Sequence, residues 1–185
     1  MQYQLTTPCS AEDLQKLRAG DTILLSGIIY TARDQAHKRM IEALDAGETL
    51  PFDLNGSAIY YVGPTPERPG QVIGSAGPTT SGRMDAYSPR LLDLGNKIMI
   101  GKGKRDAAVK EAVVRNGGIY TAALGGAGAL MSQCVKSLEV IAWPDLGCEA
   151  VRRLQVENMP LTVILDTHGG DLYESGPDAY LQTLK

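Results

Sequence analysis

Three adjacent hydroxyls stand between two glycines, with an arginine directly after the second, in the stretch Gly77-Pro78-Thr79-Thr80-Ser81-Gly82-Arg83-Met84-Asp85. Threonine and serine favour helix N-cap positions, so the stretch predicts a helix start with Arg83 in its first turn, close to the free N–H groups. A cation at the positive end of a helix dipole is disfavoured by about 0.3–1 kcal/mol unless an anion joins it. The stretch therefore reads as an anion site, against the alternative of a capped helix carrying a solvated arginine. The pattern recurs at Thr31-Ala32-Arg33-Asp34, which fits a capping box with Thr31 as N-cap and Asp34 at N3, so that Arg33 also falls in a first helical turn. A third cation, Lys102, sits in Gly101-Lys102-Gly103-Lys104. That run is not a Walker A loop, because Asn96 replaces its first glycine and Gly103 its hydroxyl residue. It is a candidate carboxylate contact, with a solvated lysine pair as the alternative.

The elements that must hold these residues follow from periodicity and turn chemistry. Thr22 to Tyr30 is a β-branched apolar run entered through Gly20-Asp21, and it predicts a buried strand. The helix after it places Ala36, Met40, Ala43 and Leu44 on one face and ends at Gly47. Asp34 and Lys38 are spaced as an i,i+4 pair, and His37 shares a face with Arg33 in a supporting or solvent-facing role. Further strands are expected at 58–62, 72–73, 97–100, 118–123, 138–142, 151–156 and 161–165. Further helices are expected at 106–115, 129–135 and 177–185, and after Ser88-Pro89, where Leu91, Leu92 and Leu94 point to the core until Gly95. Residues 63–70 hold too much proline and glycine for regular structure and predict a rigid surface connection, while Asp166 to Gly170 predicts a turn carrying His168. Gly125-Gly126-Ala127-Gly128 resembles a dinucleotide loop, but Met131 occupies the place of the last glycine, which favours close helix packing instead.

At 185 residues the chain suits one domain with a proper core, expected to span 1–185. Eighteen basic against twenty-one acidic side chains leave a net charge of −3 with mixed signs, which argues against nucleic acid as the main partner. The apolar runs fall short of the roughly 20 residues of a membrane span and the N-terminus lacks a signal pattern, so no membrane association and a cytoplasmic location are expected. Cys9, Cys134 and Cys148 are odd in number and far apart, fitting neither a disulfide framework nor a CxxC pair. Any metal would take most of its ligands from another chain.

The segments TARDQAHKR (31–39), GPTTSGRMD (77–85) and IGKG (100–103) together resemble the β subunit of two-subunit class I fumarate hydratases, and the related L-tartrate dehydratase β subunit is similar. The match runs from Leu5-Thr6-Thr7-Pro8 through Asp145-Leu146-Gly147 to Ile164-Leu165-Asp166. Gly82 leans it toward fumarate hydratase, since the tartrate enzymes tend to carry a bulkier residue there. The resemblance implies an α/β chain folded as a swivelling β/β/α domain. It also implies a higher-order heteromer with a larger α subunit whose three cysteines hold a 4Fe-4S cluster, this chain alone binding none. Arg33, Thr80, Arg83 and Lys102 would contact a small dicarboxylate substrate, and Thr79 would stand in the position of the base. The chemistry suits these types: arginine forks take carboxylates bidentately and lysine adds a point charge. An iron with an open position can act as Lewis acid for the departing hydroxide, and a neutralised carboxylate stabilises the carbanion left by proton removal. The expected function is interconversion of fumarate and (S)-malate together with the α subunit. The alternatives are an L-tartrate dehydratase β subunit and a noncatalytic carboxylate-binding or assembly module.

Overall fold

The computed structural model describes residues 1–124 and 126–183. Five parallel strands come first: β1 (Gln2–Thr6), β2 (Thr22–Thr31), β3 (Ala58–Tyr60), β4 (Ile98–Gly101) and β5 (Ile119–Ala122), each hydrogen-bonded to the next in that order. The long final strand β7 (Val151–Leu165) runs antiparallel to β5 and also to β2, closing β2, β3, β4, β5 and β7 into a barrel-like ring. β6 (Val135–Ala142) lies antiparallel along the other half of β7. The result is a mixed α/β fold.

Parallel strands buried on both faces need continuous apolar side chains, and β3 and β4 are buried at every position. Ala58, Tyr60, Ile98 and Ile100 face one cluster, together with Leu14 of α1 (Ala11–Gln15) and Met131 of α5 (Gly128–Gln133). Ile59, Tyr61 and Met99 face the other. That side is covered by Ala36 and Met40 of α2 (Asp34–Asp45), Leu91 and Leu92 of α3 (Ser88–Asp93), and Val109 and Val113 of α4 (Ala107–Asn116). The chain closes with α6 (Leu172–Thr183).

Several expectations are corrected. Thr31 is the last residue of β2 and caps no helix, because its hydroxyl donates to the Ala150 carbonyl (3.3 Å) and accepts the Arg152 N–H (3.1 Å) across to β7. α2 therefore starts at Asp34 with Arg33 as its N-cap, and Lys38 pairs with Glu42 (3.8 Å) rather than Asp34. Residues 72–73 form bends and no strand; there Gly74 is pressed against the backbone of Thr65 and Pro66. Leu94 is exposed. The two strands expected at 151–156 and 161–165 are one, since β2 pairs along β7 from Arg152 to Thr162; Pro160, without an N–H, falls where the other edge of β7 has left β6 and not yet reached β5. α6 begins before Pro177. Leu184 and Lys185, expected in that helix, and Gly125 of the glycine run lie outside the described residues.

Because β2, β3 and β4 are parallel, their carboxyl ends share one rim. The loops leaving that rim carry Arg33, the 77–85 stretch and Lys102, and the carboxyl rim of parallel strands is where ligands are usually received, in open sheets and closed barrels alike.

Candidate active site

Arg33 leaves β2 two residues after its end and lies over Gly63, just beyond β3. A Cβ on Gly63 would stand 2.6 Å from Arg33 Nη1. Arg33 Nη2 is 3.6 Å from Glu149 Oε1 and its Nε is 3.8 Å from Asp34 Oδ2, while that Nε is buried without a hydrogen-bond partner among the described residues. Glu149 Oε2 accepts the N–H of Gln35 at 2.8 Å, supplying the helix start with the capping acceptor that Arg33 cannot. Arg83 reaches the same place from the other loop. Its Nε and Nη2 donate to the two oxygens of Asp34 at 2.7 and 2.8 Å, a bidentate pair.

The 77–85 loop is fixed by backbone. Ala76 donates to the Gly128 carbonyl (3.0 Å), and its own carbonyl accepts the Tyr60 hydroxyl (2.5 Å). Pro78 bridges Val62, Thr80 bridges Lys102, Thr79 N–H donates to Tyr61 O (2.7 Å) and Ser81 N–H to Lys102 O (2.8 Å). The three hydroxyls now separate by role. Ser81 is fully buried; its Oγ accepts the Lys102 N–H and the Tyr120 hydroxyl, each at 3.0 Å. Gly101 must be glycine for this, since a Cβ there would lie 1.9 Å from that Oγ. Thr79 is half-buried and Thr80 exposed, and among the described residues neither hydroxyl is hydrogen-bonded. Lys102 is exposed and, among the described residues, has no ion-pair partner.

Beneath the loop lies a sealed network. The Arg105 side chain is fully buried between the rings of Tyr61 and Tyr120, 5.4 and 4.9 Å from their centroids. Its Nε donates to Asp85 Oδ1 at 2.5 Å and its Nη2 to Ser88 Oγ at 2.7 Å, while Asp85 Oδ2 accepts the Asp106 N–H at 2.7 Å. His37 is also wholly buried, edge-on to Tyr61, with Nδ1 2.9 Å from the Arg33 carbonyl and Nε2 without a partner among the described residues. Burial holds its imidazole neutral by pushing the pKa down to about 4. His37 is thus a core residue that packs behind Arg33 and never meets solvent.

The structure brings Arg33, Thr79, Thr80, Arg83 and Lys102 onto one rim, but one step toward that grouping is corrected. Ser81–Met84 is a single 3₁₀ turn, without a side-chain cap from Thr80, and Arg83 lies at its end. Neither arginine awaits an anion for want of a partner: Asp34 and Glu149 supply the negative charge at the start of α2. Arg105 and Glu149 were missed as supports of the site. Asp85, at the end of the motif, was the available sign of a buried cation nearby; nothing local marks Glu149.

The five residues line neither the cavity of about 240 Å³ beside Tyr30 and Arg153 nor that of about 440 Å³ between Pro66 and Arg152. They form an open ledge. Among the described residues no three His, Cys, Asp or Glu side chains are grouped to hold a metal ion, and burial pushes the Cys9 thiol up to about 11. No helix in the described residues is long and apolar enough to cross a membrane.

Comparison with known proteins points to one family. The chain is 42% identical over 169 residues to a putative L(+)-tartrate dehydratase subunit beta of Methanocaldococcus jannaschii, covering 88% of this chain and 87% of that one. It is 36% identical over 177 residues to the L(+)-tartrate dehydratase subunit beta of Escherichia coli K12, covering 93% and 87%. It is 40% identical over 152 residues to the aerobic class I fumarate hydratase of the same organism, where 81% of this chain spans only 28% of that protein's length. The family model described as Fumarase C-terminus matches residues 1–176, and the chain therefore belongs to that family.

Proposed function

We propose that this chain, folded as one swivelling β/β/α domain over residues 1–185, is the β subunit of a cytoplasmic hydro-lyase that interconverts fumarate and (S)-malate. Its relatives are hydro-lyases or their subunits by name, which supports a hydro-lyase subunit. The observation that carries the reading is the convergence on one carboxyl rim, from three separate loops, of three cations and two threonine hydroxyls that make no hydrogen bond among the described residues. Arg33 and Arg83 bind the substrate carboxylates, Arg83 by exchanging or sharing its Asp34 partner, and Lys102 adds a point charge. Thr80 holds the substrate or the loop. Thr79 handles the proton on the carbon beside a carboxylate whose charge the cations have neutralised, which lowers the cost of the carbanion. The ledge is open, so the reading takes its other wall, and the 4Fe-4S cluster, from an α subunit in a larger heteromer.

The test is to copurify the chain anaerobically with its native partner, reconstitute iron, and compare fumarate, mesaconate and tartrate. Preferred turnover of fumarate is expected; absence of dicarboxylate turnover would sink the proposal. L-tartrate dehydratase remains the second reading for one reason. The two tartrate dehydratase β subunits are covered over 87% of their own length, against 28% for the aerobic fumarate hydratase. Preferred turnover of tartrate would select it. At the residue level, Thr79→Ala is expected to lower turnover by about 10²–10⁴ with a smaller effect on affinity, and Thr79→Ser to retain more. If Thr79→Ala exchanges the malate C–H hydrogen with deuterated solvent at the parent rate, Thr79 is only a binding residue.

A further inference from the structure

Arg33 sits in a seat built by residues far from it in the chain. Gly63 offers bare backbone: a Cβ there would lie 2.6 Å from Arg33 Nη1 and 3.1 Å from its Cδ. Gly63 does not have a positive φ, so its lack of a side chain serves space rather than backbone conformation. Glu149 meets the other terminal nitrogen, one of its oxygens on the Gln35 N–H at 2.8 Å and the other 3.6 Å from Arg33 Nη2, both side chains less than one-fifth exposed. The 3₁₀ segment that carries Glu149, Pro144–Glu149, is itself clamped. Arg39 pairs bidentately with Asp145 at 3.0 and 2.6 Å, and the Arg152 guanidinium donates to the carbonyls of Gly147, Cys148 and Ala150 at 2.8–3.0 Å.

We infer that Gly63 and Glu149 are positioning residues for Arg33, the first giving its guanidinium a place to lie and the second holding it there from β7's approach. This rests on the reading of Arg33 as a carboxylate-binding residue. The two act by different means. A methyl at residue 63 meets the far end of a flexible side chain, so Gly63→Ala moves Arg33 and leaves the backbone in place. Glu149→Gln keeps an acceptor for the Gln35 N–H and removes only the charge facing Arg33. Both variants therefore address the orientation of one guanidinium with the fold retained.

The first arm is NMR of the full chain with ¹⁵N-labelled arginine, the Arg33 Nε–H assigned by its loss in Arg33→Lys. That N–H is buried, so in both variants its signal is expected to move and its hydrogen exchange to quicken by about tenfold or more, with the Arg105 signal unchanged as the control for folding. The second arm is kcat/KM of the assembled enzyme on dicarboxylate. Each variant is expected to lower it by about 10–100-fold, the scale of a roughly 1 Å misplacement, and to lower it no further once Arg33 is already alanine. An unmoved Arg33 signal in both variants, or losses that add to that of Arg33→Ala, would overturn the inference. An assembled parent enzyme with no dicarboxylate turnover would overturn the functional reading instead, and the NMR arm would still decide the seat.

Discussion

Two arginine–aspartate pairs serve the same loop and differ in almost everything but chemistry. Arg105 and Asp85 have side chains 0% and 10% exposed; Arg83 and Asp34 are 50% and 22% exposed. The first pair is sealed by Tyr61, Tyr120 and Ser88, and its carboxylate also holds the backbone of Asp106. The second is open to solvent, so a carboxylate arriving from outside can compete for Arg83. Burial, more than residue type, decides which pair is a fixed support and which is free to exchange partners. In a buried pair the desolvation already suffered makes loss of one partner costly, whereas an exposed pair contributes little.

The comparison breaks most visibly at Asp85. Asp85→Asn leaves the Arg105 charge buried and uncompensated, and chemical denaturation is expected to show a loss of about 3–5 kcal/mol. An unchanged unfolding midpoint would remove the distinction between the two pairs. A smaller, pH-dependent effect belongs to His37, which lies behind the open pair. Its folded pKa, about 4, is below its ordinary 6.5, so between those values the unfolded chain binds the extra proton. Stability therefore falls as pH drops through that window, by at most about 1.4 kcal/mol per pH unit, and is untouched by this group above it. Denaturation of parent and His37→Gln at pH 7 and pH 5 checks the sign: the variant should lose less on acidification. The smallest effect is expected at Asp34, where Asn costs the fold less than about 1 kcal/mol because the partner is half exposed. A loss as large as that of Asp85→Asn would show the outer pair to be a support as well.

How much of this was legible in the sequence depended on distance along the chain. Thr22 to Tyr30 reads as a strand because every residue needed for the inference is within it. Thr31 does not, because its hydroxyl is claimed by Ala150 and Arg152, partners about 120 residues away. β1 was missed because QYQLT carries too few apolar residues to signal a strand, and it is held instead by pairing with β2. The motif residues of the ledge were legible as a group, and so was the excess of cation over local anion. The anions themselves were not: Asp34 reaches Arg83 across 49 residues and Glu149 reaches Gln35 across 114. Among three adjacent hydroxyls, only packing shows that Ser81 is buried in the support while Thr79 and Thr80 are left facing the rim.

The central claim is that the open pair is a substrate grip and the sealed pair its foundation. It is tested most directly by Arg83→Ala, with kcat/KM for fumarate measured in the assembled enzyme beside the unfolding free energy of the chain. The account predicts a fall in kcat/KM of about 10–150-fold, the worth of a lost charge-assisted contact of roughly 1.5–3 kcal/mol, with stability changed by less than about 1 kcal/mol. An unchanged kcat/KM, or a catalytic loss matched by an equal loss of stability, would contradict it.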